Sequence, residues 1–377
     1  MTDTSFQCDI VSLAAPGVRQ LQPYLPGKPI SELEREYGVT DIIKLASNEN
    51  PLGVSPLALA AMQRELPDCA LYPDGNGYYL KQALAAHLGI DNGQITLGNG
   101  SNDVLVLLAE TFLTPASNAV YSQYCFAVYP IAVQAAGATG KSAVANSAEH
   151  AMPLGHDLDA MFELIDADTR LVFIANPNNP TGTWLDAELL RNFVKSIPGD
   201  VIVVIDEAYL EYAGQGQSAN AINWLADCPN LAVTRTFSKA YGLAGIRVGY
   251  CVTSTEIAGL LGRVRQPFNV NSLALAGAEA ALGDVEFIKQ SRASNSAGLQ
   301  LLSHGLKELG LAVTPSAGNF VLADFQRDPL PIYEALLRAG IIVRPVGNYA
   351  LDTHLRITVG TREQNEALLR VLANILG

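Results

Sequence analysis

Between about residues 95 and 250, short apolar runs alternate with helical patterns. The runs are QITLG, NAVYS, LVFIANP, VIVVIDE, LAVTRTF and RVGYCV, with the helix-like DVLVLLAETFL and the stretch from Asp186 to Ser196 between them. Runs apolar at successive positions are buried on both faces, and intervening helices supply the crossovers that parallel strands require. The expected fold is therefore α/β, a mainly parallel sheet flanked by helices. Local signals agree: Ser55 before Pro56 reads as N-cap and first helical residue, and Gly89 closes the helical pattern Tyr78 to Leu88. After about residue 284 the order changes. A long helical stretch runs to Gly310, followed by AVTP, NFVLADF, a helix near Tyr333 to Ala339, IIVRP, HLRITVG and a final helix. The pattern predicts a large domain over 46–283 and a smaller α+β domain over 284–377, joined by the N-terminal segment 1–45.

Composition narrows the function classes. The 377 residues are 49% hydrophobic and 16% charged, against about 25% charge in an average soluble protein. No apolar run approaches the ~18 residues that cross a bilayer, so the apolar content predicts a large core. Lys and Arg number 24 against 37 Asp and Glu, a net charge of −13. That field repels polyanions, so neither nucleic acid nor a membrane is an expected partner. Five cysteines at irregular spacing form no CxxC and no disulfide framework, and MTDTSFQCDI lacks the basic and apolar regions of a secretory signal. Both features predict a cytoplasmic protein.

In an open parallel sheet, ligands bind beyond the carboxyl ends of the strands, so the polar residues that follow apolar runs are the candidates. GNGSND, Gly98 to Asp103, stands between a strand and a helix; its glycines let backbone N–H groups cradle a phosphate, or make a plain turn. NPNNPTG, Asn176 to Gly182, is a stiff polar loop whose asparagine amides can donate to a ligand oxygen, or simply shape the turn. Asp206 of DEAY ends a very apolar strand, where a carboxylate needs a cation or donor unless it caps a helix. In TFSKAYGLAGIRVGY, Lys239 follows a strand and is flanked by Thr236 and Ser238, with Arg247 eight residues on. A desolvated lysine near another cation is a nucleophile toward carbonyls, and Ser238 and Arg247 suit a phosphate. One ligand with an aldehyde, a phosphate and a basic ring nitrogen satisfies all of these residues together. Pyridoxal phosphate has all three.

Asn176 to Gly182, Asp206 to Tyr209, Ser238-Lys239 and Arg247 resemble the ordered motif set of the fold-type I pyridoxal-phosphate aminotransferases. More narrowly, QPYLPGK, LASNENPLG, LYPDG, GNGSND, TFSKAYGLAGIRVGY and LRITVGTRE are similar to the histidinol-phosphate aminotransferases, from about Leu21 to the C-terminal helix. The resemblance implies that Lys239 binds the cofactor covalently and then moves the substrate proton. Asp206 pairs with the ring nitrogen, and Asn179 and Tyr209 with the ring oxygen. Gly100, Ser101, Asn102, Ser238 and Arg247 hold the phosphate, and Tyr72 reaches the phosphate of the neighbouring subunit in a homodimer. Arg356 takes the substrate carboxylate, while Arg344 and Tyr24 lie near the substrate's phosphate end. The implied reaction exchanges histidinol phosphate and 2-oxoglutarate for imidazole-acetol phosphate and glutamate, in histidine biosynthesis. Two positions depart from the family pattern. YCFAVY stands where P-T-[YF]-S-M-Y is common, making Phe126 the best match to the ring-stacking aromatic, with Tyr124 as the alternative, and Asn102 replaces a frequent acid.

Other chemistries find less support. AAGATGKS, Ala135 to Ser142, is one glycine short of a nucleoside-triphosphate loop and has a helical pattern where a strand should precede it. GxGxxG fails because position 103 is Asp. The histidines 87, 150, 156, 304 and 354 include no HExxH, so no metal is expected. Aromatic amino-acid aminotransferases and threonine-phosphate decarboxylases share most of the motifs and stand as alternatives. A non-catalytic pyridoxal-phosphate-binding regulator requires a DNA-binding domain for which no residues are left.

Overall fold

The computed structural model describes residues 9–214, 216–217 and 219–377. In chain order its strands are β1 (Ile43–Lys44), β2 (Ile95–Gly98), β3 (Asn118–Ser122), β4 (Thr139–Ala143), β5 (Thr169–Ala175), β6 (Ile202–Asp206), β7 (Leu231–Thr236), β8 (Gly249–Thr253), β9 (Ala312–Thr314), β10 (Phe320–Asp324), β11 (Ile341–Ile342), β12 (Arg344–Pro345) and β13 (His354–Thr358). Seven form one sheet in the order β2-β8-β7-β6-β5-β3-β4. Strands β4, β3, β5, β6 and β7 run parallel, whereas β8 is antiparallel to both of its neighbours. The reversal arises because the chain from Phe237 to Val248 turns back without a crossover helix, and Phe237 N donates to Val248 O at 3.1 Å.

Side-chain alternation divides the core between the two faces of this sheet. Val172, Ile174, Val203, Ile205 and Val233 pack on one face, under the helices Pro56–Glu65, Tyr78–Leu88, Ala187–Ser196 and Ser272–Leu282. Leu171, Phe173, Ala175, Val204 and Ala232 pack on the other, under Ser101–Phe112 and Val128–Ala135. Each fully enclosed valine, leucine, isoleucine or phenylalanine contributes about 1.5–3 kcal/mol. The expected caps form: Ser55 accepts from Ala58 N at 3.3 Å, and Gly89 takes the left-handed conformation at φ 68°.

The later part of the chain builds an antiparallel sheet, β12-β13-β10-β9, covered by the helices Val285–Glu308 and Arg362–Leu376. Strand β1 pairs in parallel with β11, and Thr358 N donates to Leu45 O at 2.9 Å. The IIVRP segment therefore serves two sheets, β11 meeting the N-terminal segment and β12 joining β13. Strand β4 is the strand of the seven-stranded sheet that the hydrophobic pattern misses. It lies at the sheet edge with Thr139, Gly140 and Ser142 exposed, so its sequence carries no apolar run. Among the described residues no helix is long and apolar enough to cross a membrane, and no cluster of three potential metal ligands occurs.

Candidate active site

A cavity of about 410 Å³ opens beyond the carboxyl ends of β5, β6 and β7. Of the residues given a site role in the sequence, all line it except Gly100, Tyr72 and Tyr124, the alternative to Phe126. Strand parity explains how Asp206 arrives there. It shares its face with Val204, two residues back, and in the sheet register it sits between Ala175 and Thr234. Thr234 Oγ1 therefore donates to Asp206 Oδ1, and from the covering helix Tyr129 Oη donates to Oδ2, each at 2.9 Å. Tyr129 is itself held by stacking on Phe173, with ring centroids 4.9 Å apart. Burial pushes the Asp206 carboxyl upward, and these two hydroxyls oppose that shift.

The β7–β8 connection carries the cationic groups. Lys239 Nζ donates to Ser47 O at 3.3 Å and lies 5.7 Å above the Tyr209 ring. Burial lowers its pKa from 10.5 to about 8, with repulsion from Arg356 as the next cause. Arg247, left-handed at φ 58°, donates to Ser238 Oγ at 3.2 Å and Ala244 O at 2.9 Å. Its guanidinium lies against Gly100, where an added Cβ would fall 2.5 Å from Arg247 Nη2. Gly100 thus acts beneath the cavity wall by leaving space for this arginine. Ser101 and Asn102 open the helix Ser101–Phe112, whose first-turn N–H groups have no intrahelical acceptor.

Two arginines face the cavity from the second sheet, Arg344 on β12 and Arg356 on β13, paired in register. Arg356 Nη1 donates to Asn179 Oδ1 at 2.5 Å and Nη2 to Ala46 O at 2.7 Å; its Nε has no partner among the described residues. Arg344 Nη2 donates to Leu25 O at 2.5 Å, and its guanidinium lies 5.8 Å from the Tyr24 ring. Phe126 lines the cavity, whereas Tyr124 packs elsewhere with Leu154 and Tyr349. Tyr72 is exposed, away from this chain's own cavity, and stacks on Phe268 at 4.8 Å.

Asn48, Tyr129 and Thr234 bond directly to Tyr209 or Asp206, and the motif reading passes over all three. Signals for all three exist: Asn48 sits inside LASNENPLG, Tyr129 is the last aromatic of YCFAVY, and Thr234 follows the parity of its strand.

Residues 40–372 match the family model described as aminotransferase class I and II. The chain belongs to this family of aminotransferases. This aminotransferase is 57% identical to histidinol-phosphate aminotransferase 2 of Methylococcus capsulatus over 367 residues, 97% of this chain and 99% of the relative. It is 53% identical over 370 residues to histidinol-phosphate aminotransferase 2 of Pseudomonas aeruginosa, covering 98% and 99% of the two chains. Among solved structures, that of histidinol-phosphate aminotransferase from Sinorhizobium meliloti in complex with pyridoxal-5'-phosphate matches with a TM-score of 0.87 at 29% identity, over 96% of each chain.

The donor set of the aminotransferase cavity fits pyridoxal phosphate. Asp206 is 4% exposed and forms no ion pair with any described residue, so a ring cation has a waiting counter-charge. Lys239 supplies an amine of lowered pKa for an aldehyde, and Ser238, Arg247 and the helix N-terminus supply donors for a phosphate.

Proposed function

We propose that this aminotransferase binds pyridoxal phosphate and transfers the amino group of histidinol phosphate to 2-oxoglutarate, giving imidazole-acetol phosphate and glutamate in histidine biosynthesis. The observation that carries the reading is the pair of buried arginines that the second sheet brings to the cavity in addition to Arg247. Arg356 is 7% and Arg344 9% exposed, so each has a desolvated guanidinium to offer an anion. Histidinol phosphate brings one anionic group at its phosphate end, and glutamate brings carboxylates. Arg344 and Tyr24 receive the phosphate end, and Arg356 receives the substrate carboxylate with the Nε that its protein contacts leave unused.

When bound, the cofactor supplies an aldehyde that takes up the amino group and a ring that spreads the negative charge left as the Cα proton departs. Asp206 holds the ring nitrogen, Asn179 and Tyr209 the ring oxygen, and Phe126 packs on the ring. Ser101, Asn102, Ser238 and Arg247 hold the phosphate, with Gly100 keeping space for the arginine. Lys239 moves the proton at substrate Cα, a task for which burial favours its neutral, basic form.

The same reading makes the protein a cytoplasmic homodimer in which Tyr72 of one protomer reaches its partner's cofactor phosphate. Support comes from its exposure next to Leu71 and its stacking on the exposed Phe268, apolar surface that a second copy would cover. It also assigns residues 46–283 to a cofactor-binding domain and 284–377, with 1–45, to a domain that brings the substrate arginines.

The deciding experiment compares kcat/KM for histidinol phosphate, phenylalanine, tyrosine and threonine phosphate. Histidinol phosphate is expected to exceed the others. A higher value for an unphosphorylated aromatic amino acid overturns the substrate assignment.

A further inference from the structure

We infer that Asn48 is a positioning residue that fixes the direction of the Tyr209 hydroxyl, so that its proton points into the cavity. The argument follows protons outward from a backbone donor whose direction is fixed. Asn48 N–H donates to Thr358 Oγ1 at 2.9 Å. Thr358's own hydroxyl proton must then go elsewhere, and Asn48 Oδ1 receives it at 3.0 Å. That contact sets the amide the right way round, so Asn48 Nδ2 faces Tyr209 and donates to its Oη at 2.8 Å.

With an amide donor filling its acceptor side, Tyr209 cannot give its proton back to Asn48. Among the described residues Asn48 is the sole hydrogen-bond partner of Tyr209 Oη. The remaining direction is the cavity, which Tyr209, Asn48 and Lys239 all line. The loop is rigid enough to hold this arrangement. Asn48, Thr358 and Tyr209 are 1%, 3% and 4% exposed, and Asn319 Nδ2 donates to Asn48 O at 3.0 Å. Asn48 is left-handed at φ 56°, a conformation that asparagine and aspartate adopt more readily than most residues. The network also links Tyr209 to β13, two residues from Arg356, so the strand that offers an anion site also orients a hydroxyl at the cofactor end.

The inference rests on the reading of the cavity as a pyridoxal-phosphate site, in which Tyr209 donates to the ring oxygen. A donor there withdraws negative charge from an oxygen that otherwise holds the proton of the adjacent nitrogen, the one shared with Lys239. Losing the donor therefore raises the pH at which the visible band of the bound cofactor titrates. Asn48→Asp keeps size and backbone conformation but places an acceptor where Nδ2 was, which turns the Tyr209 proton away. Thr358→Val removes the donor that sets the amide.

The test is a pH titration of the visible band in wild type, Asn48→Asp, Thr358→Val, Tyr209→Phe and the Asn48→Asp/Tyr209→Phe double variant, each loaded with pyridoxal phosphate. Asn48→Asp and Tyr209→Phe are expected to raise the midpoint by about one pH unit and Thr358→Val by less, with no added shift in the double variant. An unchanged midpoint in both Asn48→Asp and Thr358→Val overturns the inference. So does an Asn48→Asp shift that persists in the Tyr209→Phe background, because the new charge then acts without the hydroxyl. A wild type that forms no visible band overturns the cofactor reading instead.

Discussion

The low pKa of Lys239 sets how the cofactor-free protein should capture an aldehyde. At a pKa of about 8, half of the amine is neutral at pH 8 and ~99% at pH 10; a lysine at the ordinary 10.5 is ~0.3% and ~24% neutral. Covalent capture needs the neutral amine, so its rate follows those fractions. Between pH 8 and 10 the rate should rise about twofold, against about 75-fold for an unshifted lysine. Stopped-flow absorbance with excess pyridoxal phosphate measures it, after division by the rate of an amine that is already neutral at pH 8, which carries only the aldehyde's own pH dependence. Borohydride trapping and peptide mapping then place the label. Arg356→Gln removes the like charge that ranks second among the causes, and should move the break to higher pH. A rate that keeps climbing tenfold per unit to pH 10, or a label on another lysine, refutes the reasoning.

The same shift makes Lys239 costly to the unliganded fold. Between pH 8 and 10.5 the unfolded chain binds more protons than the folded one, so stability rises with pH across that window and the full cost applies below 8. Lys239→Met should stabilise the cofactor-free protein by on the order of 3 kcal/mol at pH 7, with the gain vanishing above pH 10.5, as read from urea unfolding. Arg356→Lys keeps the charge but loses the planar fork, and kcat/KM for glutamate should fall about 100-fold with a smaller effect on cofactor affinity. Gly100→Ala places a Cβ 2.5 Å from Arg247 Nη2 at a backbone φ of 89°, so it should weaken pyridoxal-phosphate binding at equilibrium and lower the melting temperature. Phe173→Ala empties a fully buried site and frees the Tyr129 ring, costing about 3–5 kcal/mol in chemical denaturation.

Strands β5, β6 and β7 are legible in the sequence because both of their faces are buried, which forces unbroken apolar runs. Strand β4 is not, since an edge position leaves it half in water and free to be polar. The same contrast holds in the cavity. Asp206, Lys239 and Arg247 stand out because each is a charge placed directly after an apolar strand or a glycine-rich bend. Asn48 and Tyr129 are ordinary residues locally, and their importance lies in contacts with Thr358 and Asp206 that only the folded chain creates. The reversed β8 is a further case, because a strand's composition does not encode its direction.

Strand β1 pairs with β11 across nearly three hundred residues of chain, and a contact of that span cannot form until most of the protein exists. During synthesis the residues of the large sheet, including Asp206, Ser238, Lys239 and Arg247, leave the ribosome well before Arg344 and Arg356. Leu33, Leu45 and Ala46, buried in the finished fold against residues beyond 300, must wait for those partners through this period. A chain stopped near residue 283 carries Asp206, Lys239 and Arg247 and lacks Arg344 and Arg356, so the two groups of cavity residues become available at different times in synthesis.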